Sequence, residues 1–174
     1  RYDGDYPIDV NVFMSDNTGS NVKYIWDPNQ YINVMMFNFK SVSTNEVTLG
    51  ISHMPHTVDN RVEGLDNVKA QYIAKSQLKY PLCSSINSTY AAQASNGGYF
   101  QSDRYTDDNH VAHTLYTADV VVTMAHELGH YLGLYHAFTE EEKDGSYQPV
   151  DSCGDTDHCK DTPSYNRIEY NNYL

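Results

Sequence analysis

Five residues carry more chemistry than any others in this chain: His126, Glu127, His130, Gly133 and His136, which complete the pattern H-E-x-x-H-x-x-G-x-x-H. His126 and His130 stand four apart, so on a helix their imidazoles share one face, one turn above the other. That spacing lets both reach one ion at the roughly 2.0–2.1 Å bonding distance of zinc to nitrogen. Gly133 permits the positive φ that ends a helix and turns the chain back. His136, beyond the turn, supplies a third nitrogen. Three protein ligands leave a fourth position open, which marks a catalytic zinc and not a structural one.

Glu127 sits about 100° around the helix from His126. It falls outside the ligand face and is free to contact a water at the open position. A bound metal lowers the pKa of such a water to roughly 7. A neighbouring carboxylate can then take its proton as a carbonyl is attacked. Meeting five specified positions by accident in a chain this short has odds on the order of 1 in 10,000 or less.

These residues need a helix beneath them and a sheet behind it. Thr117 is a candidate N-cap, with Asp119 in the first turn. Val120-Val121-Val122-Thr123 is a β-branched run of weak helix propensity, so packing has to override it. Val121, Ala125, Leu128 and Leu132 follow helical spacing and predict an apolar face against a sheet, with the histidines on another face. Upstream, the alternation from Ile8 to Met14 predicts a half-buried strand. Ser15 to Asn21 reads as a turn. Tyr31 to Phe39 predicts a strand central in its sheet, and Val47 to Ser52 a further strand. Residues 57–80 are ambiguous between strand and helix. Residues 83–110 are rich in Ser, Asn, Gly, Tyr and Asp and read as loop with at most short strands. Asn87-Ser88-Thr89 is a glycosylation sequon, relevant in a eukaryotic secretory setting.

At 174 residues the chain reads as a single domain, 1–174, and its 13% aromatic content with 16 tyrosines argues for a packed core. The net charge of −12 excludes nucleic acid and anionic membrane as favoured partners, since both would be repelled. It suits a solvated acidic surface, cationic substrate segments or calcium. No apolar run is long enough to span a bilayer, and no signal peptide opens the chain. Of the three cysteines, Cys83 reads as a lone thiol. Cys153 and Cys159 enclose a short acidic loop and could bridge to each other, or either could pair beyond residue 174; an oxidising compartment favours a disulfide that involves them. His53, His56, His110 and His113 read as surface or loop histidines, and His158 as structural. Asp151, Asp155, Asp157, Asp161 and Thr162 make a hard-oxygen cluster suited to calcium.

The zinc motif resembles that of the metzincin endopeptidases. Within them, Asp151-Ser152-Cys153-Gly154-Asp155-Thr156-Asp157-His158-Cys159-Lys160-Asp161-Thr162-Pro163 is similar to the cysteine-bearing, calcium-associated loop of the pappalysin (ulilysin-like, cytophagalysin) family. Tyr31-Ile32-Asn33-Val34-Met35 and Leu49-Gly50-Ile51-Ser52-His53-Met54-Pro55 look like that family's paired strands. The resemblance covers residues 31–58 and 115–165.

The resemblance implies an α/β (α+β) metzincin-like catalytic domain: a twisted mixed sheet packed on helices, with a zinc helix bearing His126, His130, His136 and the base Glu127. It implies a secreted, periplasmic or cell-surface endopeptidase acting on polypeptides. Leu49, Gly50, Ile51 and Ser52 become the edge strand that pairs with extended substrate; an internal strand is the alternative. The family tends to cleave before a basic residue. No methionine follows His136, so the family's C-terminal Met-turn subdomain is expected to be missing from the chain. The implied partners besides substrate are a removed pro-segment or a separate C-terminal fragment. The rival function is a non-catalytic binding or adhesion module stabilised by zinc and calcium, which would not need Glu127.

Overall fold

The computed structural model describes residues 4–41, 47–69, 72–90, 103–106, 110, 112–115, 120–143 and 146–173. In chain order its regular elements are α1 (Val10–Met14), β1 (Val34–Phe37), β2 (Gly50–Ser52), β3 (Thr57–Val58), β4 (Asn67–Val68), β5 (Ser84–Asn87), β6 (Asp103–Thr106), β7 (Ala112–Leu115), α2 (Val120–Tyr131), β8 (Glu140–Lys143), β9 (Ser146–Pro149) and α3 (Arg167–Tyr173), with short 3-10 turns at Ser20–Tyr24, Lys75–Gln77 and Ser88–Tyr90. The fold is mixed α/β, with small sheets and few helices. The chain forms two compact units, Arg1–His53 with Ala70–Tyr131, and Met54–Lys69 with Leu132–Leu174.

The first unit is built on a three-stranded sheet in the order β1-β5-β2. β5 runs parallel to β1, pairing Val34 with Ser84 and Phe37 with Asn87, and antiparallel to β2, pairing Gly50 with Ile86 and Ser52 with Ser84. The expected central strand, β1, therefore lies at one edge. The centre is β5, a four-residue strand from a stretch that composition reads as loop with at most short strands. All four β5 residues are buried. Its serines are buried because they have partners: Ser84 Oγ meets Ser52 Oγ at 2.7 Å, and Ser85 Oγ donates to Met14 Sδ at 3.2 Å. Asn87 of the sequon is buried too. Its amide donates to Thr48 O at 3.0 Å and its oxygen accepts from Thr89 N at 3.2 Å, which closes it to glycosylation in the folded protein.

The segment expected as a first strand is the helix α1. Asp9, in an extended conformation, accepts a hydrogen bond from Val12 N at 3.1 Å and caps it. Val10, Phe13 and Met14 then fall on one face and are buried, while Val12 is exposed. Alternation and helical spacing coincide over so short a run, and the cap decides between them. The core gathers Ile8, Val10, Phe13, Met14, Ile25, Phe37, Phe39 and Cys83, with Phe13 edge-on to Phe37 at 5.3 Å. Truncating such a phenylalanine costs about 3–5 kcal/mol.

In the second unit β3 and β4 pair in parallel, and β8 and β9 form an antiparallel hairpin with Glu140 opposite Pro149. Asn166 caps α3, its oxygen accepting from Ile168 N and Glu169 N at 3.0 Å each. Phe138 is buried and meets Tyr165 edge-on at 5.7 Å, with the Arg167 guanidinium 5.0 Å above its ring.

Candidate metal centre and active site

The helix α2 packs on β2 and β5. Its buried residues are Thr123 and Glu127, one turn apart. Of the face expected to pack, Val121, Ala125 and Leu132 are instead exposed, Val121 and Leu132 at 71% and 70%, and Leu128 is half-buried. The sheet seats Glu127 instead: Gly50 lies against its side chain, and Ser84 Oγ donates to its carbonyl at 3.4 Å. Thr117 and Asp119, the expected helix start, lie outside the described residues.

Glu127 is thus turned inward and 6% exposed, while His126, the neighbouring residue, is exposed. Burial pushes the Glu127 carboxyl up to about 7, because a charged carboxylate loses solvation there.

His126 and His130 bring their Nε2 atoms to 3.0 Å, with the ring planes perpendicular. The helix ends at Tyr131, and Gly133 takes the expected positive φ of +100°. A side chain there would be strained by that φ alone, and its Cβ would also press on Leu65 Cδ1 at 3.3 Å. The chain then delivers His136, whose ring stacks on Phe138 at 4.6 Å and 13°. His136 Nδ1 lies 2.8 Å from Glu140 Oε2. Over the continuous stretch from His126 to His136, one ring nitrogen of each of the three histidines lies within 4.8 Å of the others.

This set fits a zinc ion. Three imidazole nitrogens are a recurrent catalytic donor set, and a tetrahedron with zinc–nitrogen bonds of 2.0–2.1 Å has an edge of roughly 3.3 Å, close to the His126–His130 separation. Glu140 engages Nδ1 of His136 and leaves Nε2 to face a metal, the usual outer-partner arrangement for a ligating histidine. Sequence reasoning missed Glu140 and Phe138. A carboxylate four residues past a ligand histidine was the available signal.

Two carboxylates of the acidic loop have hydrogen-bond partners. Asp151 Oδ1 accepts from Asn166 at 2.6 Å, and the buried Asp157 accepts from Cys159 N at 2.8 Å. Among the described residues, the histidine set is the one group of three or more His, Cys, Asp and Glu ligand atoms brought together. Cys153 and Cys159 do not bridge to each other. Both are free thiols, as is the buried Cys83. The loop's order comes instead from side chain to backbone hydrogen bonds of the Asp157 kind and from Thr139 Oγ1, which donates to Gly154 O at 2.6 Å.

The segment expected as a substrate strand, Leu49 to Ser52, contains β2, and among the described residues β2 is an edge of its sheet, with β5 as its partner. Of the other histidines, His53 stacks on Tyr80 at 4.7 Å with Nε2 3.1 Å from Met14 O. His158 has Nδ1 3.8 Å from Glu63 Oε1, and His110 is exposed.

Residues 79–173, more than half of the chain, match the peptidase family M43, described as Pregnancy-associated plasma protein-A. No curated protein and no solved structure matches the chain. The matched segment contains β5, Glu127, the acidic loop and the three histidines that the fold brings together, and the chain belongs to the pappalysin-type metzincins, a family of zinc metallopeptidases.

Proposed function

We propose that the protein is a zinc-dependent endopeptidase in which His126, His130 and His136 hold the metal and Glu127 is the general base. The observation that carries this reading is the convergence of three imidazole nitrogens within 4.8 Å, with a buried carboxyl on the residue next to the first of them. When bound, zinc supplies Lewis-acid polarisation of the scissile carbonyl and eases deprotonation of the attacking water. Glu127 takes the proton from that water as its oxygen attacks the carbonyl carbon. It then delivers the proton to the departing amine nitrogen as the carbon–nitrogen bond breaks. No serine or cysteine nucleophile is required. Such proton transfer is worth about 10²–10⁴ in rate.

Substrate is an extended polypeptide laid against Leu49, Gly50, Ile51 and Ser52. The unshared edge of a strand recognises any sequence through main-chain hydrogen bonds. A basic residue after the scissile bond suits a protein of net charge −12. Calcium in the 151–163 loop is supported by the resemblance alone. An extracytoplasmic location follows from the same source.

The test is Glu127→Ala with zinc content and cleavage of a peptide library measured together. The variant is expected to keep its zinc and lose about 10²–10⁴ in kcat. Unchanged cleavage by the variant would remove the base assignment. Zinc-loaded wild type that cleaves no peptide would make the protein a non-catalytic module.

A further inference from the structure

Gly50 is the one glycine of the sheet strand facing α2, and its position is not explained by backbone geometry, since its φ is not among the positive values of this chain. What distinguishes it is its neighbour. A Cβ built on Gly50 would lie 2.6 Å from Glu127 Cγ, 2.7 Å from Oε1 and 2.8 Å from Cδ. Real Cβ atoms do not approach that closely, so any side chain at this position must move something. The element that yields most easily is the Glu127 side chain, whose rotation relieves the overlap without moving a strand or a helix.

The same strand pair also holds the backbone of Glu127. Ser84 Oγ lies 3.4 Å from Glu127 O as a donor, and Ser52 Oγ lies 2.7 Å from Ser84 Oγ. Ser84 is completely buried. One face of the sheet thus seats Glu127 twice: serine hydroxyls hold its main chain, and an absent side chain leaves room for its carboxyl.

We propose that Gly50 is a positioning residue for Glu127, keeping the carboxyl in its buried, inward rotamer against the edge strand. The proposal rests on the reading of Glu127 as the base. It adds that the strand offered to substrate and the group that moves the proton are in direct contact, so side-chain volume at position 50 sets where the base stands.

The experiment compares Gly50→Ala in two backgrounds, wild type and Glu127→Ala, using the full zinc-loaded chain and a fluorogenic peptide that wild type cleaves. Alanine is intrinsically better than glycine in a strand. With Glu127 present, Gly50→Ala is expected to lower the melting temperature; with Glu127 truncated to alanine, the same change is expected to be neutral or stabilising. In the wild-type background kcat is expected to fall tenfold or more, with KM and zinc content unchanged. Equal thermal shifts in both backgrounds would overturn the contact. Wild-type kcat in Gly50→Ala, or a loss confined to KM, would overturn the positioning role. Failure of the base assignment is read separately, from the Glu127→Ala protein cleaving as well as wild type.

Discussion

His136 and Glu140 meet Nδ1 to Oε2 at 2.8 Å beside the metal site, with the two side chains 27% and 17% exposed. The contact fixes which way the His136 ring faces, and stacking on Phe138 at 4.6 Å fixes its plane. Together they hold a ligand that follows the end of the helix and has no helical turn to orient it.

Glu140→Ala is therefore expected to weaken zinc binding about 10–100-fold, the usual effect of deleting an outer hydrogen-bond partner of a ligand histidine. Competition with a chromophoric chelator measures it. Glu140→Gln, which keeps an oxygen acceptor for Nδ1–H, is expected to lose less. Equal affinity in wild type and Glu140→Ala would make the pair incidental.

Removing zinc with a chelator is expected to abolish cleavage and lower the melting temperature. Restoring zinc to a thousandfold above its Kd is expected to return about 4.1 kcal/mol of stability. His130→Ala should show no such zinc-dependent shift in a thermal melt. A shift that survives this substitution would place the stabilising metal elsewhere.

The turn after α1 provides a pH test away from the site. Thr18 Oγ1 donates to Asp16 at 2.6 Å, Asn21 N at 2.8 Å, and Thr18 N and Ser20 Oγ at 3.1 Å each. These donors favour the charged form and lower the Asp16 carboxyl from 3.8 to about 2. A folded pKa below the unfolded one means stability that is fully present above 3.8 and lost as pH falls through about 2. Asp16→Ala is expected to destabilise the protein at pH 7, and the gap from wild type to shrink as pH drops from about 4 to 2. Urea titrations across that range check it; a gap independent of pH would contradict the assignment.

The three free thiols should separate by reactivity. Burial pushes Cys83 up to about 12 and removes it from solvent. Cys159 is raised as well, by desolvation and then by the charges of Asp157, Asp161 and Asp155. Cys153 is exposed. At pH 8 a disulfide reagent is expected to label Cys153 first, Cys159 more slowly, and Cys83 only on unfolding, since the thiolate is the reacting species. Mass mapping of labelled peptides would show the order, and early labelling of Cys83 would be incompatible with its burial.

The zinc ligands and the glycine turn were legible without coordinates because they lie within one short stretch, where residue spacing alone dictates geometry. His126 and His130 follow from helical pitch, and Gly133 from the φ that only glycine takes freely. The mixed α/β class was readable from the same patterns. By contrast, the central place of β5 was not legible in a stretch read as loop with at most short strands, because polar serines become central-strand residues only when other segments supply their partners: Ser52 for Ser84, Met14 for Ser85. The same holds for α1, where the Asp9 cap outweighed an alternating pattern.

Local spacing thus specified which atoms can bind a metal, since covalent geometry and helical pitch act over a few residues. Which face of α2 is buried, which strand is central and where Glu127 stands depended on residues distant in the chain, Gly50 and Ser84 above all. Burial is a property of neighbours brought together by folding, and no periodicity along a single helix states who those neighbours are.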